Sequence, residues 1–158
     1  LRVKTSDEMF SAVKKSLPVD IAVCTAAVSD FKPSNFQKNK IKKNKSKERI
    51  DLDGTIDILN YIGKNNQYRP KLVIGFSAET EKLLHNSKIK LKSKNADWII
   101  ANDVSKKDIG FNKDYNAVTI IRSDGKISQI KKNKKSFIAS IISGEIIKKL
   151  LINDKSLN

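Results

Sequence analysis

Apolar positions recur at helical spacing from the start of the chain. Met9, Phe10, Val13 and Leu17 form one stripe behind Thr5 and Ser6, either of which can cap a helix. Asp7 and Glu8 fall in its first turn, where the helix dipole favours anions, and Pro18 ends it. Residues 19–25 are a short continuous apolar run, the pattern of a strand covered on both faces. Residues 31–49 show no periodicity and predict a mobile loop, ordered by a ligand or partner. Ile50 and Leu52 alternate with charges as in a short strand, which Gly54 turns. Thr55 then caps a second helix with Ile56, Leu59 and Ile62 on its apolar face and Gly63 as its stop signal.

After Pro70, Leu72, Val73, Ile74, Gly75 and Phe76 read as a second buried strand, in which the glycine predicts close approach by a ligand or another backbone. Ser77, Ala78, Glu79 and Thr80 open a third helix reaching about residue 94, with Leu83, Leu84 and Leu91 inward. Residues 98–101 predict a third buried strand, ending in Asn102 and Asp103, where an α/β sheet puts polar, ligand-facing groups. A loop over 106–115 contains Gly110, Phe111 and Asn112. Residues 116–122 and 126–130 flank Ser123, Asp124 and Gly125, a hairpin signal. A last helix over about 136–152 carries Ile138, Ile141, Ile142 and Leu150, and the tail after Asn153 frays.

Strands and helices alternate until the hairpin. The fold class is therefore α/β: a Rossmann-like three-layer domain, with a mostly parallel sheet and an antiparallel hairpin at its edge. The 158 residues suit one domain, 1–152, followed by a frayed tail over 153–158. Neither G-x-G-x-x-G nor G-x-x-x-x-G-K-[ST] occurs. The chain opens on Leu1 rather than Met and on a helix with no strand before it, so it reads as a piece of a longer protein.

Composition narrows the partners. With 32 basic and 17 acidic side chains the net charge is +15, which suits an anionic partner such as nucleic acid, a nucleotide or a phosphorylated metabolite. Lys, Asn and Ile all have A/T-rich codons, so genomic bias on a solvated surface accounts for the lysines equally well. No apolar run approaches the roughly 20 residues of a membrane span, and the N-terminus lacks a secretory pattern. A lone cysteine, Cys24, excludes an internal disulfide and fits a reducing, cytoplasmic setting as a small buried hydrophobe. One Cys and one His, His85, argue against a transition-metal site.

The candidate chemistry concentrates in residues 24–43. The apolar run of Ile21, Ala22 and Val23 passes through two small residues, Ala26 and Ala27, to a lone carboxylate, Asp30. Small residues let a flat ligand lie against the backbone, and a carboxylate just beyond can take sugar hydroxyls. The basic cluster Lys40, Ile41, Lys42, Lys43 then offers mobile point charges for phosphates. The order reads as base, sugar, phosphate.

Four segments stand together: Ala26-Ala27-Val28-Ser29-Asp30 with Pro33; Lys40-Ile41-Lys42-Lys43; Gly75-Phe76-Ser77-Ala78-Glu79-Thr80; and Ala101-Asn102-Asp103-Val104-Ser105, followed by Gly110-Phe111-Asn112. In identity, order and spacing they resemble phosphopantothenoylcysteine synthetase, in the bacterial CTP-using form often fused behind a flavin-dependent decarboxylase. The resemblance covers about residues 5–150. It implies a ligase that joins 4′-phosphopantothenate to cysteine through an acyl-cytidylate, with magnesium accompanying the triphosphate, and a homodimer with the basic loop of one subunit near the other's site.

Residue by residue, the resemblance implies that Cys24, Thr25 and Ala26 read cytosine and Asp30 takes the ribose. Lys40 would stabilise charge on the α-phosphate as the catalytic residue, while Lys42 and Lys43 hold the loop closed. Ile56, Asp57, Ile58 and Leu59 would meet the nucleotide at a helix start, Phe76 would pack on it, and Lys90 and Lys94 would bind its phosphates. The family's Gly-rich first strand and turn, with its Asn-containing segment, would lie before Leu1. Thr55-Ile56-Asp57-Ile58 stands where the family often has Asn-Pro-Asp-Ile. This implies a chain that keeps much of the CTP pocket without completing the ligation.

The residues by themselves leave other readings open. Phe76 also suits a core position and Asp30 a turn cap. Lys42 and Lys43 suit a solvated loop, and Lys90 and Lys94, one helical turn apart, an exposed basic face. A non-catalytic homologue fits as well, as does a basic nucleic-acid module using residues 38–49 as a phosphate-tracking arm. Against the last, no aromatic residue interleaves with the basic run to stack bases.

Overall fold

Three consecutive side chains, Leu72, Val73 and Ile74, are 2%, 0% and 0% exposed, which requires a strand covered on both faces. In the computed structural model, which describes residues 1–36, 39–40, 49–65, 67–104 and 113–155, that strand lies inside a five-stranded sheet. The elements in order are α1 (Ser6–Ser16), β1 (Ile21–Cys24), β2 (Phe31–Pro33), β3 (Leu52–Gly54), α2 (Ile58–Gly63), β4 (Leu72–Glu79), α3 (Leu83–Ser93), β5 (Trp98–Asp103), β6 (Tyr115–Arg122), β7 (Ile127–Lys134) and α4 (Lys135–Lys155).

The sheet runs β1-β4-β5-β6-β7. β1, β4 and β5 are parallel, and β6 and β7 continue antiparallel at one edge. This is the Rossmann-like α/β architecture that the alternation of elements predicts. Strand side chains alternate between faces and so build two cores. Val73, Ile99, Ala101 and Ile121 face α2 and α3, with Met9, Phe10 and Val13 of α1 packed alongside. Leu72, Ile74, Trp98, Ile100, Val118 and Ile120 face Ile138 and Ile142 of α4. Helix, sheet and helix make three layers.

Local chemistry sets the helix ends. Thr5 caps α1 through a capping box: its hydroxyl accepts from the Glu8 N–H, and Glu8 reaches back to the Thr5 N–H. In the hairpin turn Gly125 sits at φ +85, a conformation that disfavours side chains.

Several expectations are corrected. Residues 19–25 are not covered on both faces: β1 is a sheet edge and Val23 is 45% exposed, since an apolar run does not tell edge from centre. Residues 31–33 are not loop but β2, paired antiparallel with β3, a long-range ladder that leaves no periodic trace. Gly54 belongs to that ladder opposite Phe31 instead of turning the chain. Asp57, not Thr55, caps α2, accepting from the Asn60 N–H at 2.8 Å; Ile56 precedes the helix and is 46% exposed.

Gly63 is the last residue of α2, where a Cβ would stand 2.0 Å from the Lys94 carbonyl oxygen, so close packing and not a turn demands it. Gly75 makes room for the Leu59 side chain, 2.4 Å from where a Cβ would sit, and not for a backbone or ligand. Ser77, Ala78 and Glu79 do not open a helix; they extend β4 by pairing with Ala101, Asn102 and Asp103. α3 starts only at Leu83, and Leu84 is 43% exposed. α4 runs past 152 to Lys155. The expected loop over 106–115 falls largely outside the described residues, as does the end of the tail.

Candidate functional site

β1 ends at Cys24, and Thr25, Ala26 and Ala27 carry the chain off the sheet beside β4. This is the carboxyl end of the parallel strands, where α/β sheets open a crevice. The crevice here is a cavity of about 490 Å³. Cys24, Thr25 and Ala26 form one wall, with Asp30 beyond them; Phe76 of β4 and the α1 side chains Met9 and Val13 also line it. Ile56, Asp57, Ile58 and Leu59 enter from the start of α2, and Lys90 and Lys94 from α3.

The β2–β3 ladder brings the second of these walls to the first. Just past β3, the Thr55 N–H donates to the Asp30 carbonyl at 2.9 Å and the Thr55 hydroxyl to the Ser29 carbonyl at 2.5 Å. Residues 29–30 and 55–57 are thereby fixed to one another across the mouth of the cavity. Thr55 thus acts as the clasp of the site, a role its candidacy as a helix cap concealed.

Both cavity lysines are held by carboxylates. Lys94 bonds the Asp57 carboxylate, which also caps α2. Burial pushes the Asp57 carboxyl up, but the bonds from Lys94 and the Asn60 N–H and the charges of Lys94 and Lys64 outweigh it, so the group sits below its ordinary value. Lys90 lies 2.9 Å from Glu79, a side chain only 11% exposed. Glu79 also accepts from the Ser77 hydroxyl and, at 3.2 Å, from the Asn86 amide. Burial again acts upward, and these bonds with the Lys90 charge carry the Glu79 carboxyl below its ordinary value. Cys24 stays a thiol: burial, then the Asp57 charge, raise it.

One cavity therefore gathers Cys24, Thr25, Ala26, Asp30, Ile56, Asp57, Ile58, Leu59, Phe76, Lys90 and Lys94. Lys40 is exposed and does not line it, and Lys42 and Lys43 lie outside the described residues. The carboxylate partners leave no local signal in the sequence: Glu79 sits in a stretch that reads as a helix start, and its pairing with Lys90 spans 11 positions across two elements. Among the described residues no group of three or more His, Cys, Asp or Glu is placed to hold a metal ion. None of the described helices is long and apolar enough to cross a membrane.

In chemical terms, small residues at a strand end, a carboxylate, an aromatic ring and two tethered ammonium groups suit a flat, hydroxylated, polyanionic ligand. Comparison with known proteins bears on the chain's family and fold. Residues 1–150 match the model of the DNA/pantothenate metabolism flavoprotein C-terminal domain. The chain is 39% identical over 106 residues to the coenzyme A biosynthesis bifunctional protein CoaBC of Bacillus subtilis, covering 67% of this chain and 26% of that protein. It is 39% identical over 145 residues to the CoaBC of Borreliella burgdorferi, covering 90% of this chain and 36% of that one. The crystal structure of the C-terminal domain of a CoaBC superposes with a TM-score of 0.74 at 30% identity, covering 98% of this chain and 66% of that one.

Proposed function

The chain belongs to the DNA/pantothenate metabolism flavoprotein C-terminal domain family, and on that premise we propose that it is the CTP-binding portion of a phosphopantothenate–cysteine ligase of coenzyme A biosynthesis. The observation that carries the reading is the cavity itself. Apart from Lys40, every residue that the synthetase resemblance assigns to CTP lines that one space.

In this reading the cytosine lies against Cys24, Thr25 and Ala26, with Phe76 packed on it, and Asp30 takes the ribose hydroxyls. Lys90 and Lys94 face the phosphates, and the start of α2 presents backbone N–H groups to the same end. The carboxylate of 4′-phosphopantothenate attacks the α-phosphorus and pyrophosphate leaves, giving an acyl-cytidylate. The cysteine amine then attacks the acyl carbon, CMP leaves with the bonding pair, and the amine loses its proton. Lys40, on the segment between β2 and β3, is the residue assigned to the charge developing at the α-phosphate. Magnesium would travel with the triphosphate, whose oxygens suit it; the cavity's own carboxylates are Asp30 and Asp57, Asp57 already bonded to Lys94.

The chain spans 26% and 36% of the two full-length relatives above, so the complete reaction is assigned to a longer protein, cytoplasmic and homodimeric, alone or fused to a flavin-dependent decarboxylase. Calorimetric titration of CTP and of ATP, with magnesium, tests the reading. CTP should bind selectively, and Asp30→Ala should weaken it at least tenfold. Equal, steeply salt-dependent binding of both nucleotides would replace this reading with a general polyanion surface.

A further inference from the structure

α4 is apolar on both sides. Its inner side, Ile138, Ile142 and Ile146, packs on the sheet. Its outer side carries Phe137, Ile147 and Leu151, which are 52%, 57% and 58% exposed, with Ile141 half-buried between them. None of these four outer residues belongs to either core cluster. A helix that is apolar all round is ordinarily covered all round. The outer residues follow a seven-residue repeat: Phe137, Gly144 and Leu151 form one row, Ser140 and Ile147 the next. That is the narrow seam by which one helix packs along another.

Gly144 stands at the middle of the seam. Inside a helix, glycine is the least favourable residue after proline. The chain's own packing does not require it: a Cβ at Gly144 would meet nothing within 4 Å among the described residues. A glycine that its own fold leaves open lets a second backbone come close. The seam is also symmetric about Gly144. Phe137 lies seven residues before it and Leu151 seven after; Ile141 lies three before and Ile147 three after. Two such helices, antiparallel about a two-fold axis at Gly144, set Phe137 against Leu151 and Ile141 against Ile147 of the other copy, at both ends alike. Ser140 then falls opposite Lys148, which borders the seam and is paired with Glu145 at 3.4 Å in its own helix. No unpaired charge is buried.

We propose that the outer face of α4 is a self-association surface, and that its occupant is α4 of a second copy of this chain, antiparallel and crossing at Gly144. The area fits a reversible contact. The exposed parts of Phe137, Ile147 and Leu151 come to about 300 Å² per copy, the size of patch that marks an interaction surface. Two whole faces bury roughly 1,000 Å², the low end for a specific interface. The contact uses neither the nucleotide cavity nor the segment between β2 and β3. It is therefore distinct from a dimer that brings that segment to a neighbouring site, and it stands or falls separately from the ligase reading.

Sedimentation velocity over a concentration series tests it. The unsubstituted chain should self-associate, and Ile147→Glu should weaken that association at least tenfold while the folded chain stays as heat-stable as before. Gly144→Leu decides the geometry. It adds apolar surface and helix propensity, so the monomer should be at least as stable, yet association should weaken at least tenfold because the added side chain holds the backbones apart. Mild oxidation of Gly144→Cys should join two copies through the introduced thiols, located by peptide mass mapping. Ser143→Cys, turned about 100° round the helix, should not be joined. A chain that stays monomeric, stronger association of Gly144→Leu, or equal joining of the two cysteine variants would overturn the proposal. So would a monomer that binds anionic phospholipid vesicles and loses them in Ile147→Glu, which would make a lipid surface the occupant of this face.

Discussion

Lys90 Nζ lies 2.9 Å from the Glu79 carboxylate, and that carboxylate is the more buried partner, its side chain 11% exposed against 44% for the lysine. Ser77, itself 2% exposed, and Asn86 complete the carboxylate's bonding, so the acid is fixed and the lysine tethered to it. Glu79 is held below its ordinary value, which sets the sign of its pH dependence. Its contribution is complete above the usual carboxylate range and is lost as pH falls through the lowered folded-state value. Glu79→Gln keeps the Ser77 and Asn86 contacts in shape but removes the charge. It should cost about 1 kcal/mol at neutral pH, a charged hydrogen bond discounted for the exposed lysine. Urea unfolding from pH 7 to pH 3 should show a shallower acid slope for the variant; parallel slopes would mean that the pair carries no linkage.

Asp57 combines two tasks that two substitutions separate. Asp57→Asn keeps an oxygen for the Asn60 N–H and loses the charge facing Lys94. Asp57→Ala loses both, and the missing cap alone should cost about 1 kcal/mol. Chemical denaturation should therefore rank Ala clearly below Asn, with Asn close to the unsubstituted protein because the carboxylate side chain is 42% exposed. Equal losses would mean that the charge outweighs the cap.

How far the chain can be read from its sequence follows from how local each signal is. The start of α1, with Thr5 as one of two candidate caps, and the hairpin at Gly125 are written within four residues and emerge in the structure. The core strands β4 and β5 are legible because a buried parallel strand is apolar at consecutive positions. The strand at Leu52 is legible but its partner β2 is not, since Phe31 is 61% exposed and the ladder closes over a long basic segment. The site's residue types could be named from motif order, but their tethering could not. Glu79 looks helical beside Thr80 and Glu81, yet strand pairing with Asp103 wins and turns its carboxylate to Lys90. Thr55 resembles a cap, yet it serves the Ser29 carbonyl.

Two glycines should respond differently to the same added methyl. At Gly63 a Cβ would meet the Lys94 carbonyl at 2.0 Å and the Asn95 carbonyl at 2.9 Å, both backbone, at the junction of α2 and α3. At Gly75 it would meet Leu59 Cδ2 at 2.4 Å and Ile99 Cδ1 at 3.0 Å, side-chain ends that can rotate. Overpacking a core typically costs about 1–3 kcal/mol, so Gly63→Ala should fall at or beyond the upper end and Gly75→Ala nearer the lower. Because Leu59 lines the cavity proposed for CTP, Gly75→Ala should in addition alter CTP affinity. Thermal unfolding and CTP titration of both variants check the order; a milder Gly63→Ala would show that the helix junction yields.

Cys24 lines the cavity and gives it a chemical probe. Its thiol is raised first by burial and then by the Asp57 charge, and only the thiolate attacks an alkylating agent. Iodoacetamide at pH 8 should therefore modify the folded chain more slowly than the chain in denaturing urea. Asp57→Asn removes the neighbouring negative charge and should speed modification of the folded protein. Cys24 also stands in the wall assigned to cytosine, so CTP with magnesium should protect it where ATP does not. Rates followed by mass spectrometry separate the two effects: the Asp57 variant tests electrostatics without nucleotide, and protection by CTP tests occupancy. Equal protection by both nucleotides would show that the base is not read at this strand end.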